Sequence, residues 1–227
     1  HIEAQILRDT HGNTHVLGIR DCSVQRDNQK LMEESGSTML PKKLRDSVLL
    51  HAAKIADAVD YTGAGTVEFI YDLPSDAIYF MEMNTRLQVE HPVTEMVTGV
   101  DIVEQQFRIA AGESIADLKF AEKGYALEVR VNAEKAVLNA GGEVSFTPTP
   151  GEITACELPE EDQFALISFA GEGKVVSPFY DSLIVQIICH GSSRKDAINK
   201  MYNYLEKVKI HGICTNISLI KRILKDE

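Results

Sequence analysis

The sequence lacks any pair of cysteines at metal-ligating spacing. Cys22, Cys156, Cys189 and Cys214 stand far apart with no Cys-x-x-Cys, which excludes a zinc ribbon or a disulfide framework and reads as reduced thiols in a cytoplasmic protein. Positive charge is scarce: 23 Lys and Arg stand against 34 Asp and Glu, for a net charge of −11. Nucleic acid is therefore not an expected partner, because phosphate binding needs a basic surface, and an anionic membrane surface is disfavoured for the same reason. No apolar run approaches the roughly 20 residues of a spanning helix, and the start carries no signal-peptide pattern. Internal repeats and low-complexity tracts are absent. So is an initiating Met: the chain opens on His1 directly in a strand-like pattern, and a fragment boundary is expected there.

What is present suits a globular protein of one or two domains. The 227 residues are 44% hydrophobic and 25% charged, enough to bury a sizeable core. His1 to Leu7 alternates as a strand, His11-Gly12-Asn13 turns, and His15 to Arg20 returns. Arg20 to Lys30 reads as a polar connector. Leu40 to Tyr61 has helical spacing, with Pro41 in its first turn and Leu44, Val48, Leu49, Ala52, Ile55, Ala56 and Val59 as the apolar stripe. His51 reads as an ordinary helix residue. Gly63-Ala64-Gly65 is a turn signal. His91-Pro92 reads as the end of an extended run, and Thr94 to Ala111 as a loop and then a helix. Polar residues near 115–125 mark a soft boundary. Beyond it come a strand over Tyr125 to Asn132, a loop over Glu134 to Gly142, an acidic loop over Leu158 to Asp162, and helices over Ser192 to Val208 and Thr215 to Lys225.

The most informative stretch is Glu82 to Glu90. Glu82, Asn84, Arg86, Gln88 and Glu90 fall on every second residue, so an extended chain would carry them on one face. One reading is a surface strand with its wet face outward. The other follows from the preceding hairpin, Gly65 to Tyr71 and Ala77 to Met83 about a turn at Asp72 to Asp76. That hairpin sets Glu68 opposite Glu82. Facing carboxylates repel, and a cation removes the conflict. Glu68, Glu82 and Asn84 offer only oxygen ligands, which suits Mg²⁺ (or Mn²⁺) completed by phosphates and water.

Glu82 to Thr94, Glu-Met-Asn-Thr-Arg-Leu-Gln-Val-Glu-His-Pro-Val-Thr, resembles the signature of biotin carboxylases, which are ATP-grasp enzymes. Arg20 to Gln25 with Gln29-Lys30, Gly63 to Phe69, Glu128 to Glu134, Pro148 to Ile153, Phe179 to Leu183 and Gly212 to Asn216 extend the resemblance over almost the whole chain. It implies an α+β fold: the C-terminal part of an ATP-grasp domain, an antiparallel sheet with helices, over residues 1–118, then a biotin carboxylase C-terminal domain over 119–227. It implies ATP, Mg²⁺ and carrier-bound biotin as cofactors and substrates. The ATP site would comprise His1, Gln25, Asn28, Ile70 and Glu82. Bicarbonate would be held by Lys30, Arg86 and the backbone near Val89, with Glu90 as the general base. Arg130 would contact the biotin ureido group. A biotin carboxyl carrier protein or domain, a carboxyltransferase and a second copy in a homodimer are the implied partners. Acyl-CoA, pyruvate and urea carboxylases all share such a component.

The chain departs from the family pattern at several places. Asn28 replaces a usual His, Ser35-Gly36-Ser37-Thr38 replaces a Pro- and Ala-rich segment, Glu134 to Gly142 is longer than usual, Leu166 and Ser168 stand near a usual dimer arginine and acid, and Val185-Gln186 replaces a pair ending in Lys. The family's N-terminal domain and Gly-rich lid are missing, so the chain alone is expected to lack appreciable carboxylation. Two other readings stay open: a different ATP-grasp ligase such as the carbamoyl-phosphate synthetase large subunit, and a non-catalytic module retaining the fold.

Overall fold

The computed structural model describes residues 1–36, 40–138 and 144–226. These divide into two compact units, one of residues 1–25 and 33–126, the other of residues 26–32 and those from 127 onward. Among the described residues no helix is long and apolar enough to cross a membrane.

The first unit is built from β1 (Ile2–Arg8), β2 (Thr14–Arg26, its last residue counting with the second unit), β3 (Gln29–Ser35, of which Gln29 to Met32 count with the second unit), α1 (Lys42–Ala58), β4 (Gly63–Asp72), β5 (Ala77–Asn84), α2 (His91–Thr98) and α3 (Ile102–Ala110). The strands lie in the order β3-β2-β1-β4-β5. β1 pairs antiparallel with both β2 and β4, and β5 pairs antiparallel with β4. Successive side chains of a strand point to opposite faces, and both faces here are covered. Ile2, Ala4 and Ile6 join Ile19, Val67, Phe69 and the α1 residues Val48, Ala52 and Ala56 in one apolar cluster. On the other face Leu7, Leu17 and Ala64 pack with Val100, Ile102, Ile109 and Ile115. Every residue of β1 is consequently buried.

Asp9 closes the β1–β2 turn. Its Oδ1 accepts from the backbone N–H groups of His11 and Asn13, each at 2.9 Å. Its Oδ2 accepts from Asn13 Nδ2 at 2.8 Å and from the Ile115 N–H at 2.8 Å. Four donors on one buried carboxylate tie this turn to the second apolar cluster. Burial alone would raise the carboxyl; the hydrogen bonds outweigh it and hold the group well below the usual carboxylate range.

Several expectations need correction. Arg20 to Lys30 is not a connector: it belongs to β2 and β3, joined by a two-residue turn. Asp27 and Asn28 take φ of 47° and 64° there, the left-handed pair of a tight hairpin, which Asn and Asp tolerate best among non-glycine residues. Helix α1 stops at Ala58, so Val59 lies past its end, 62% exposed, outside the apolar stripe. Asp60, at φ 48°, turns the chain away. Pro41 stands at the N-cap rather than within the first turn. His91-Pro92 does not end an extended run; it begins α2, because a proline in the first turn loses no helical hydrogen bond. Two short helices thus replace the expected loop and helix, separated by Gly99 at φ 70°.

The second unit contains β6 (Tyr125–Asn132, its first two residues counting with the first unit), β7 (Glu134–Leu138), β8 (Val144–Pro148), β9 (Gly151–Glu152), β10 (Ala155–Glu157), β11 (Phe164–Ser168), β12 (Val175–Val176), β13 (Leu183–Gly191), α4 (Arg194–Leu205), β14 (Lys209–His211) and α5 (Ile217–Ile223). Strands run in the order β11-β13-β6, and α4 lies against β13. β7–β8, β9–β12 and β10–β14 form separate antiparallel pairs. The loop expected from Glu134 is strand as far as Leu138; residues 139–142 lie outside the described residues, as do Ser37 and Thr38. Ser193 caps α4 by accepting from the Asp196 N–H at 3.2 Å. The helix is shorter than its periodicity suggests, leaving Val208 beyond it. Asn216 precedes α5 without capping it: its side chain accepts from the Asn132 N–H at 2.9 Å and donates to the Arg130 carbonyl at 3.0 Å.

Candidate active site

One row of residues crosses four strands of the first unit. The registers align Arg20 with Glu3, Glu3 with Glu68, and Glu68 with Glu82. Gln5 and Thr66 pair one step along on the same face. The row therefore holds three carboxylates in adjacent strands, an arrangement that like-charge repulsion makes costly unless cations join it.

Arg20 is the first cation. It is completely buried. Its Nε donates to Glu3 Oε2 at 3.1 Å, Nη1 to Gln5 Oε1 at 2.7 Å and Thr94 Oγ1 at 3.0 Å, and Nη2 to Thr66 Oγ1 at 3.1 Å and Gln88 Oε1 at 3.0 Å. A guanidinium has five N–H donors, and all five are engaged. Burial would lower its pKa, but Glu3 and Glu90 more than reverse this and keep it charged. His1 is the second cation. Its Nε2 lies 2.7 Å from Glu68 Oε2 and 3.3 Å from Glu3 Oε1, and its Nδ1 lies 2.8 Å from Gln25 Nε2. Burial pulls the imidazole down, yet its bonds to Glu3 and Glu68 carry it up to about 9.

The structure brings Glu68, Glu82 and Asn84 together. Asn84 Nδ2 donates to Glu68 Oε1 at 2.8 Å and to Glu82 Oε1 at 3.0 Å. Gln88 Nε2 also donates to Glu68 Oε1, at 2.6 Å. Glu68 is buried and Glu82 exposed, so the cluster runs from the interior to the surface. Its outer end fits a hard divalent ion, since Glu68, Glu82 and the Asn84 amide can all offer oxygen, while its inner end sets the His1 imidazole beside Glu3 and Glu68 and the Cys22 thiol beside Glu3 and Glu90. When bound there, such an ion would be held by Glu68, Glu82 and the Asn84 amide oxygen, the amide turning to exchange that oxygen for the Nδ2 that now faces both carboxylates. Ile70 is partly exposed on β4 beyond Glu68, paired with Tyr79.

The expected single polar face over Glu82 to Glu90 does not form. The strand ends at Asn84, and residues 85–90 follow an irregular path. Arg86 and Val89 are exposed, while Gln88 and Glu90 are buried. Glu90 sits at the N-cap of α2, and its carboxylate falls within 4.8 Å of groups on Glu3 and Cys22. Burial, with Glu3 and Glu90 beside it, pushes the Cys22 thiol well above its ordinary value. Gln88 and Glu90 turn inward because Arg20 waits there for acceptors and negative charge. Asn28, Lys30 and Arg130 belong to the second unit: Asn28 exposed at the hairpin tip, Lys30 partly buried on β3, and Arg130 partly buried on β6.

No role was assigned from the sequence to Arg20, Glu3, Gln5, Thr66, Gln88 or Thr94, although Gln88 was marked in the alternating row. A signal existed: Glu3 with Gln5, and Thr66 with Glu68, each lie two apart in strands otherwise apolar. Such pairs on neighbouring strands mark a buried polar face as well as they mark a wet one.

The comparisons accord with this geometry. Residues 1–118 match the carbamoyl-phosphate synthase L chain, ATP binding domain, and residues 128–227 match the biotin carboxylase C-terminal domain. Biotin carboxylase 1 of Bacillus subtilis is 46% identical over 231 residues, covering all of this chain and 50% of that protein. A solved biotin carboxylase from Campylobacter jejuni, in complex with β-γ-ATP, superposes with a TM-score of 0.93 at 38% identity, covering 99% of this chain and 49% of that one. The biotin carboxylase domain dimer of Hydrogenobacter thermophilus 2-oxoglutarate carboxylase, solved with MgADP, ADP and bicarbonate, gives 0.91 at 42% identity, covering 100% and 49%. The chain thus spans about half the length of these relatives. With an ATP-binding module shared across ATP-grasp ligases in its first half and a C-terminal domain particular to biotin carboxylases in its second, the chain belongs to the biotin carboxylase family.

Proposed function

We propose that the protein carrying this chain is a biotin carboxylase, using ATP to activate bicarbonate as carboxyphosphate and then carboxylating biotin on a carrier protein or domain. The observation that carries this reading is the junction of Glu68, Glu82 and Asn84 on adjacent strands. Phosphoryl transfer needs spreading negative charge to be neutralised and the nucleophile held in line. A divalent ion bound by Glu68, Glu82 and Asn84 would supply that neutralisation.

The chain's own residues do the rest. Arg86, exposed two residues beyond Asn84, suits a planar oxyanion, since its fork can bind two oxygens at once; with the backbone near Val89 it would hold bicarbonate. Glu90 would take the bicarbonate proton. Arg130 would hold the biotin ureido oxygen as charge develops there. His1, Gln25 and Ile70 would bound the nucleotide, with His1 already fixed by Glu68 and Gln25. A carboxyltransferase and a second copy of the chain are the further partners, and a cytoplasmic setting (or the mitochondrial matrix) fits free thiols.

A carbamoyl-phosphate synthetase would share the first half. Biotin-dependent against ammonia-dependent ATP cleavage by a full-length protein carrying this chain separates the two. Cleavage stimulated by bicarbonate and free biotin is the expected result. Stimulation by ammonia alone, or no binding of Mg·ATP at millimolar concentration by a folded sample, would overturn the proposal.

A further inference from the structure

We propose that Arg20 is a positioning residue: acting through Gln88 and Thr94, it sets the place of segment 85–90 against the carboxylate of Glu68. The inference deepens the function proposed above and rests on it for its kinetic consequences alone.

The acceptors of the five guanidinium donors are widely spread. Glu3 and Gln5 lie on β1, Thr66 on β4, Gln88 in the irregular segment, and Thr94 on α2. One planar group thus ties four separate parts of the unit. A buried charge wanted only for stability is poorly explained, since apolar packing of the same volume commonly does as well or better. What an apolar side chain cannot do is fix five acceptors at set angles. Two of the five, Gln88 and Thr94, bracket Val89 and Glu90. The segment has no strand or helix of its own between Asn84 and His91, so these side-chain bonds join the packing of Leu87 on the second apolar cluster in holding it on this face.

The second link runs outward. Gln88 accepts from Arg20 through its carbonyl and donates through its amide to Glu68 Oε1, 2.6 Å away. Asn84 donates to the same oxygen. None of the five Arg20 donors goes to Arg86 or Val89, yet Arg20 determines which way Gln88 points and so registers the segment against the carboxylate cluster. Lysine could preserve the charge opposite Glu3 but not the fork, because its ammonium is a point charge with three donors.

The experiment uses a full-length protein carrying this chain, with Arg20→Lys, Gln88→Met, their combination, and Thr94→Val. Amide hydrogen exchange reports on residues 85–94, and steady-state ATP cleavage gives the constants for bicarbonate and Mg·ATP. In Arg20→Lys, exchange of 85–94 should rise at least 10-fold while α1 and β4 stay protected. The kcat/KM for bicarbonate should fall at least 10-fold with KM for Mg·ATP within about threefold. In the Gln88→Met background the same change should lower kcat/KM by a smaller factor than in wild type, because one of the two links is already cut. Uniform loosening of the unit, unchanged exchange at 85–94, or additive effects would overturn the proposal. Should Arg20→Lys not fold, Thr94→Val removes one acceptor and keeps the charge; unchanged exchange at 85–94 there overturns it equally. Wild-type protein without bicarbonate-dependent cleavage would sink the functional reading, and the exchange measurement would still decide this one.

Discussion

Asp9→Asn should destabilise the chain by about 2–4 kcal/mol although the two side chains are nearly the same shape. Each carboxylate oxygen of Asp9 accepts two hydrogen bonds, and each of the four donors is within 2.9 Å. In asparagine one oxygen becomes an NH₂ group. If that group replaces Oδ2, Asn13 can turn its own amide to compensate, but the buried Ile115 N–H loses its acceptor. If it replaces Oδ1, the N–H groups of His11 and Asn13 are orphaned together. An unsatisfied buried donor costs roughly 1–3 kcal/mol, and the surviving bonds lose their charge assistance. The effect should also depend on pH. Because the folded carboxyl is held below its ordinary value, its contribution is fully present above the unfolded pKa and is lost as pH falls through the folded one. The gap between wild type and variant should therefore be widest near pH 7 and narrow below about pH 4. Urea denaturation at pH 7 and pH 3, followed by far-UV circular dichroism, measures both quantities. A loss under about 0.5 kcal/mol at pH 7, or one that is the same at both pH values, would refute the reasoning.

Other outcomes follow from the same packing. Glu82→Gln should weaken Mg·ATP binding at least 10-fold by titration calorimetry, while the melting temperature stays within about 2 °C, because this carboxylate is exposed. Gly191→Ala should cost about 1–3 kcal/mol in urea, since a Cβ there would stand 2.5 Å from the Ala197 backbone nitrogen of α4. Asn216→Ala, which removes bonds to Asn132 and Arg130, should cost about 2–3 kcal/mol and speed amide exchange in β6; unchanged exchange there would count against the assigned contacts.

Much of the fold was legible from local chemistry. The β4–β5 hairpin, with Glu68 facing Glu82, follows from alternation on both sides of a turn at Asp72 to Asp76, and the structure has that register. Helix α1 follows from its apolar period. The elements misread were those where local chemistry points two ways. Asp27-Asn28 looks like a loop and is a tight turn between strands. His91-Pro92 looks like a breaker and opens a helix, because proline is costly only after the first turn.

The sequence by itself determined that two carboxylates and an amide would meet on a hairpin, since strand period and turn position are properties of neighbouring residues. It could not determine that Gln88 and Glu90 point inward while Arg86 points out. That choice depends on Arg20, 68 residues from Gln88 along the chain, being buried on the same face without enough acceptors of its own. Where a polar residue has a charged partner only in three dimensions, the partner decides its direction, and only the tertiary structure supplies that partner.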